Sequence, residues 1–201
     1  MMTLGPVMVE GLVKIYDPNS GEIFVDKRNA IHYENMSIAL AQSIADETVG
    51  YIYAMAFGNG GSSVDPTGVI TYLPPNTTGQ NANLYNQTYL KVVNQNSAAN
   101  TDPTQNYLTV LHTPGTVYTD VLVTCLLDYG EPQGQQAFDN STNFNGDYVF
   151  DELGLKAWEG TNNDLMLLTH VIFHPVQKSL NRQIQIDYTV RIQTLTNLST
   201  T

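Results

Sequence analysis

The chain has 201 residues, a formal net charge of −11 and one cysteine, which suits one globular domain that folds without disulfide bonds. Its eight basic residues are scattered along the sequence, whereas a nucleic-acid surface needs them clustered, so we expect no nucleic-acid partner. No segment approaches the roughly 20 apolar residues of a membrane span, and the N-terminus lacks a basic start and an apolar core. We therefore expect a chain with neither a membrane anchor nor an export signal.

The first 30 residues predict a β-hairpin. Two alternating stretches, 7–17 and 21–27, flank the sequence Pro-Asn-Ser-Gly, which is typical of a tight turn. We expect residues 1–30 to form a hairpin that could project from the domain as an arm.

A single helix is predicted for residues 33–46. Good helix formers fill this stretch, and neither glycine nor proline interrupts it. The apolar residues expected along one side of this helix are Met36, Ile38, Leu40, Ala41, Ile44 and Ala45.

The middle of the chain predicts short strands joined by long polar loops. Strand patterns cover 51–57, 69–73, 87–93 and 107–112. The run 117–130 carries apolar residues on both faces, which predicts a central strand covered on both sides, with Cys125 as a core residue.

The C-terminal part combines a long loop with the clearest strand of the sequence. Residues 131–147 are polar and long for a structureless connection, so we expect a contact element there. In the last strand, Ile184, Ile186, Tyr188, Val190 and Ile192 alternate with polar residues that include Gln185 and Arg191. One face should be core and the other should meet solvent or a partner, and 194–201 should form a polar tail.

Two histidines, His170 and His174, have the spacing that metal enzymes use on a helix. The surrounding residues are rich in Val, Ile and Phe and are followed by Pro175, which favours a strand. On a strand the two imidazoles lie about 13 Å apart, too far to share one metal ion. We expect no metal site here, two half-buried or interface histidines, and a proline that ends or edges the strand pairing.

No other motif predicts catalysis or a cofactor. The sequence FGNGGSS at 57–63 lacks the lysine of a phosphate-binding loop and the spacing of a nucleophile elbow. Asp139, Asp147, Asp151 and Glu152 are acidic, but their spacing does not match a calcium loop. We therefore predict no catalytic, cofactor-binding or metal-binding residues.

Aromatic and polar residues are instead candidates for contacts with other proteins. Trp158 is expected in a loop, where it could stack on a sugar or on a neighbouring subunit. The loop 94–106 is a further candidate contact. The interface candidates are Tyr85, Tyr89, Phe138, Phe144, Trp158, Gln185 and Arg191.

Several stretches resemble a known class of protein. KRNAIHYENMS (27–37), FGNGG (57–61), YTDVLVTCLLDYGEPQGQQAFDN (118–140) and HPVQKS (174–179) are similar to uncharacterised virion structural proteins of contractile-tailed bacteriophages, such as those infecting cyanobacteria. The resemblance spans nearly the whole chain. It implies a virion component and provides no catalytic residues.

Together these observations predict a mainly β protein, an antiparallel jelly-roll-like β-sandwich with one helix, spanning 1–201 as one domain. The expected function is non-enzymatic: a structural component of a phage neck, collar or tail that binds itself and other virion proteins. It would be assembled in the host cytoplasm and found in the virion. The alternative is a carbohydrate-binding or adaptor module of a tail fibre or baseplate.

Overall fold

A computed structural model of the protein describes residues 7–133, 147–161 and 164–194, with the backbone alone at 147 and 148. The described residues form antiparallel β-sheets and one α-helix, which confirms the predicted fold class. The predicted contact residues Phe138 and Phe144, and the tail after Thr194, lie outside the described residues.

The first sheet contains five strands and includes both ends of the described chain. Its spatial order is β2-β1-β13-β9-β8. The strands are β1 (Val7–Tyr16), β2 (Ile23–Arg28), β8 (Tyr107–Leu111), β9 (Tyr118–Leu127) and β13 (Ile184–Thr194).

The second sheet has the order β3-β12-β10-β4-β7, with β11 also paired to β10. Its strands are β3 (Ala30–Ile31), β4 (Ile52–Gly58), β7 (Gln87–Val92), β10 (Asp147–Thr161), β11 (Asp164–Leu167) and β12 (Thr169–Ser179). A separate two-stranded ribbon consists of β5 (Ser62–Val64) and β6 (Ile70–Tyr72).

The core lies between the two large sheets, in a sandwich-like arrangement. Ile186 and Tyr188 from the first sheet and Phe57 and Leu155 from the second are fully buried members of one continuous apolar cluster. Alternation along the strands explains this layering, because every second side chain of a strand points to the same face.

The N-terminal hairpin forms as predicted but belongs to the first sheet. β1 pairs with β2 on one side and along its whole length with β13 on the other. Val13 and Ile15 on β1 are buried in the core. The idea of a projecting arm is therefore wrong for residues 7–28, because burial of these side chains holds the hairpin against the domain.

The predicted helix is α1 (Tyr33–Ile44). His32 begins it, since its Nδ1 accepts a hydrogen bond from the Asn35 backbone N–H at 3.2 Å. Met36 and Ala39 are buried, whereas Ile44 is 85% exposed. The predicted apolar side is wrong for the last turn, because Ala41, Ile44 and Ala45 are all exposed.

The predictions for β13 and β9 differ in outcome. The apolar row of β13 is confirmed at Ile184, Ile186, Tyr188 and Val190, which are buried, whereas Ile192 at the end of the row is half-buried. β9 is covered on both faces only in its second half, and it lies beside the central strand β13 and not at the centre itself.

Candidate functional site

The predicted contact residues Gln185 and Arg191 both lie on the outer face of the first sheet, and both already have partners within the chain. Arg191 donates from Nε and Nη2 to the two carboxylate oxygens of Asp120, at 2.7 and 2.8 Å. Its guanidinium also lies 4.0 Å from the centre of the Tyr118 ring. The hydrogen bond from Arg191 lowers the pKa of Asp120. This pair is held in a fixed geometry before any partner arrives.

The same face carries a second polar group around Asp187. Tyr16 donates from its hydroxyl to Asp187 at 3.1 Å, and Gln185 donates from Nε2 to the same carboxylate at 3.3 Å. Partial burial, followed by the charge of Asp187, raises the pKa of Tyr16 to about 12. Gln185 is itself buried within the chain, so its side chain helps to hold Asp187 in place and is not available to contact a partner.

Charges of both signs are interspersed over this outer face. The strand registers place four acidic and three basic residues on it: Glu10, Asp26, Asp120, Asp187, Lys14, Arg28 and Arg191. Leu12, which is 40% exposed, lies between them beside Thr189. Around Leu12 its side chains are exposed or half-buried, whereas Thr124, Leu126 and Gln185 at the other end of the face are buried within the chain. In a chain of net charge −11, it is a surface on which two copies can meet with little like-charge repulsion.

Trp158 lies in strand β10 and not in the loop that the sequence predicted. Its backbone N–H donates to the Tyr51 carbonyl, and its ring centre lies 4.6 Å from that of Tyr53. The ring is half-buried and engaged with another aromatic residue. This arrangement gives no particular support to sugar stacking.

The two predicted contact tyrosines, Tyr85 and Tyr89, differ in position. Tyr85 is 41% exposed, and its hydroxyl donates to the Pro74 carbonyl at 2.7 Å. Tyr89 on β7 is half-buried, with its ring centre 6.0 Å from that of Phe57, and burial raises its pKa. Of the two, only Tyr85 presents substantial surface.

The candidate loop 94–106 is held to the domain by two buried asparagines. Asn100 donates to the Asn106 carbonyl at 2.8 Å, and the Asn106 side chain accepts a hydrogen bond from the Leu126 backbone at 3.0 Å. The loop is thus fixed to β9 by its own polar groups.

The strand prediction for the two histidines is confirmed, and the environment predicted for His170 is wrong, whereas an interface position for His174 stays a prediction. His170 is completely buried, whereas His174 is exposed and lies 3.1 Å from the Tyr72 hydroxyl. Pro175 falls where pairing with β10 is interrupted, and pairing resumes at Val176. β12 therefore continues past the proline through a bulge.

A buried carboxylate, Glu152, accepts four hydrogen bonds. Its Oε1 accepts from the backbone N–H groups of Gly60 and Asn86, at 3.0 and 2.8 Å. Its Oε2 accepts from the Tyr85 backbone at 2.9 Å and from His170 Nε2 at 3.0 Å. Burial acts to raise its pKa, but these hydrogen bonds together outweigh burial, and the net shift is downward. A carboxylate with both oxygens so occupied has no lone pair left for proton transfer.

The neighbouring carboxylate, Asp151, holds the same glycine-rich segment. Its two oxygens accept from the backbone N–H groups of Gly61 and Ser62, at 2.9 and 2.7 Å, and from the Ser62 hydroxyl. Burial raises its pKa despite these bonds. A shift in register between Phe150 and Glu152 directs two consecutive carboxylates to one face of β10.

The glycines of FGNGG permit this close packing. A Cβ at Gly58 would lie 2.5 Å from the Glu152 Oε1, and one at Gly60 would lie 2.8 Å from the Asn86 backbone nitrogen. The glycine motif and the acidic motif were both visible in the sequence as separate signals. Their contact depends on the β10 bulge, which no local pattern revealed.

Two buried histidines hold residues 76–79 against the sheet. His170 Nδ1 accepts from the Asn76 backbone N–H at 2.8 Å, so its Nε2 must carry the proton donated to Glu152. His32 likewise accepts from Asn35 through Nδ1, and its Nε2 donates to the Gly79 carbonyl at 2.9 Å. The neutral tautomer of each ring is thus fixed by its hydrogen bonds.

The described residues include no group of three His, Cys, Asp or Glu side chains placed to hold a metal ion. Cys125 is fully buried, and burial raises the pKa of its thiol to about 12, which keeps it protonated at neutral pH. What the described chain offers is a rigid polar network within the domain and a broad, mixed surface on the first sheet.

Comparison with known proteins gives no match: no family model, no curated protein and no solved structure is similar to this chain. Within the described parts of the chain, no helix is both long and apolar enough to cross a membrane.

Proposed function

We propose that this chain is a non-enzymatic structural component of a bacteriophage particle, in the neck, collar or tail. It acts there by binding copies of itself and neighbouring virion proteins. The resemblance of stretches such as KRNAIHYENMS and HPVQKS to phage virion proteins supports the class of particle.

The observation that carries self-association is the outer face of the first sheet. This face combines an exposed leucine, Leu12, with interspersed charges of both signs, and the side chains around Leu12 are exposed or half-buried. Its best-ordered charges, Arg191 and Asp120, already have a bidentate geometry, so a partner need not order them on binding. A preorganised and nearly neutral sheet face suits repeated contacts between identical subunits.

A substitution at the centre of this face tests the proposal. Thr189 lies between Leu12 and Leu122 on neighbouring strands, so Thr189→Arg should place a bulky charge in the contact without altering the core. Light scattering should show that the native protein forms an oligomer and that the variant shifts toward the monomer. The matched control is Ile44→Arg, at the 85% exposed end of α1, which should leave the mass unchanged.

Placement in a phage particle has its own test. Mass spectrometry of purified virions from a phage that encodes this chain should detect it at many copies per particle. A native protein that is a strict monomer at high concentration, together with its absence from virions, would refute the proposal.

A further inference from the structure

At one edge of the first sheet, no described strand pairs with the outer side of β2. β2 is the last strand at this edge and pairs with β1 alone among the described strands. Asn29 donates its backbone N–H to the Gly11 carbonyl at 3.1 Å, which continues the β1–β2 ladder. Because hydrogen-bonded pairs alternate along an antiparallel ladder, the backbone groups of Asp26 and Arg28 point away from β1.

Open space adjoins this edge. A cleft of about 500 Å³ is lined by residues 24–30 of β2 and its continuation, by Val171–His174 of β12, and by Tyr72, Leu73 and Pro75. Val25 and Phe173 in its lining belong to the buried core. Space is therefore present beside the outer edge of β2.

The opposite edge of the same sheet is partly occupied, at Leu108. On β8, the side chain of Gln95 accepts from the Leu108 backbone N–H at 2.9 Å and donates to the Leu108 carbonyl at 3.2 Å. A side-chain amide thus takes the place of a neighbouring strand there. Of the two edges of the first sheet, the one at β2 is the more available for pairing.

When two copies of β2 lie antiparallel, the charged side chains of one copy complement those of the other. Asp26 is exposed and has no ion pair or hydrogen bond with any described residue. Arg28 has a 76% exposed side chain and one contact, 3.7 Å from Glu10. Both side chains lie on the outer face, two residues apart, so an antiparallel copy of the strand can place each acid opposite a base.

We propose that β2 pairs with β2 of a second copy of this chain, antiparallel, about a twofold axis that passes at Lys27. In this register Asp26 lies opposite Arg28 of the partner subunit, and Arg28 lies opposite the partner's Asp26. The two five-stranded sheets then form one continuous sheet of ten strands. Lys27 meets its own symmetry mate, but its Nζ donates to the Ile172 carbonyl at 2.7 Å, which draws the ammonium into its own subunit. This inference rests on the proposed self-association and names one of its contacts.

Cysteine cross-linking tests the register. Lys27 and its mate form a non-hydrogen-bonded pair, with Cα atoms about 4.5 Å apart, which is within the range of a disulfide. Lys27→Cys should therefore give a covalent dimer under mild oxidation, seen on a non-reducing gel. Asp26→Cys is the matched control, because its two copies would lie about 8 Å apart, beyond disulfide reach. The native Cys125 is fully buried and should not contribute.

A charge exchange tests the pairing itself. Asp26→Arg places arginine opposite arginine twice in each dimer, and we expect dimerisation to weaken by at least about tenfold. Combining it with Arg28→Asp restores opposite charges and should recover most of the native affinity.

The outcomes separate this inference from the proposed function. A native protein that is strictly monomeric overturns the β2 pairing and the proposed self-association, whereas the place of the chain in a phage particle is tested by its presence in virions. An oligomer in which Lys27→Cys does not cross-link, or in which Asp26→Cys cross-links equally well, overturns the β2 pairing alone. A charge exchange that fails to restore affinity lost in the single variant also overturns the pairing.

Discussion

Replacement of Glu152 by glutamine should destabilise the protein strongly, although the two side chains have nearly the same shape. The carboxylate accepts four hydrogen bonds, whereas an amide has one oxygen and presents an NH₂ group to the other two donors. Whichever way the amide is turned, two buried donors lose their acceptor, at about 1 to 3 kcal/mol each. We expect the free energy of unfolding to fall by about 2 to 5 kcal/mol.

Urea denaturation at pH 7 measures this loss. Glu47→Gln is the matched control, because Glu47 is exposed on the chain that follows α1, and it should change the free energy of unfolding by less than about 0.5 kcal/mol. A loss below about 1 kcal/mol for Glu152→Gln would show that the four hydrogen bonds do not form as described.

The pH dependence gives a second, independent check on Glu152. Its pKa in the folded protein is lowered from the ordinary 4.5, because its hydrogen bonds outweigh its burial. A lowered carboxyl pKa stabilises the fold above the unfolded-state pKa, and this contribution is lost as the pH falls through the folded-state value. The difference in stability between the native protein and Glu152→Gln should therefore be largest near neutral pH and shrink below about pH 4.5.

Three further predictions concern a core residue, a buried lysine and the binding of zinc. Ile186→Ala on the central strand removes a fully buried side chain and should cost about 2 to 5 kcal/mol in urea denaturation, so an unchanged melting temperature would contradict its position. Lys156 is 5% exposed, has no hydrogen bond or ion pair with a described residue, and burial lowers its pKa from 10.5 to about 8. Lys156→Met should therefore stabilise the protein by about 1 to 3 kcal/mol at pH 7. The free energy of unfolding of the native protein should rise between about pH 8 and 10.5 as Lys156 loses its charge, and this rise should be absent from the variant. The difference in unfolding free energy between the two proteins measures it. Zinc titration by calorimetry should show no tight one-to-one binding to the native protein, because the imidazole of His170 is buried and both of its nitrogens are hydrogen-bonded. Tight binding to the native protein that is lost in His170→Ala would contradict this.

The sequence alone determined the features that depend on local periodicity. Alternation along 184–192 predicted which face of β13 is buried, because a strand places every second side chain on one side. The turn residues at 17–21 predicted the hairpin, and the uninterrupted helix formers predicted α1. The strand at 169–174 was also readable, since β-branched and aromatic residues favour strands.

Only the tertiary structure decided how these elements meet. The hairpin could have projected, but pairing of β1 with β13 placed it in a sheet whose other members begin at Tyr107, far from the hairpin in the sequence. Trp158 was assigned to a loop because it precedes a turn-like stretch, yet β10 extends through it by pairing with β4 and β11. His170 was expected to be half-buried, but it is sealed by Glu152 and by the Asn76 backbone, both distant in the sequence. Hydrophobic alternation fixes which face of a strand is buried, whereas burial of a polar group depends on finding hydrogen-bond partners, and those partners come from segments that only the folded chain brings together.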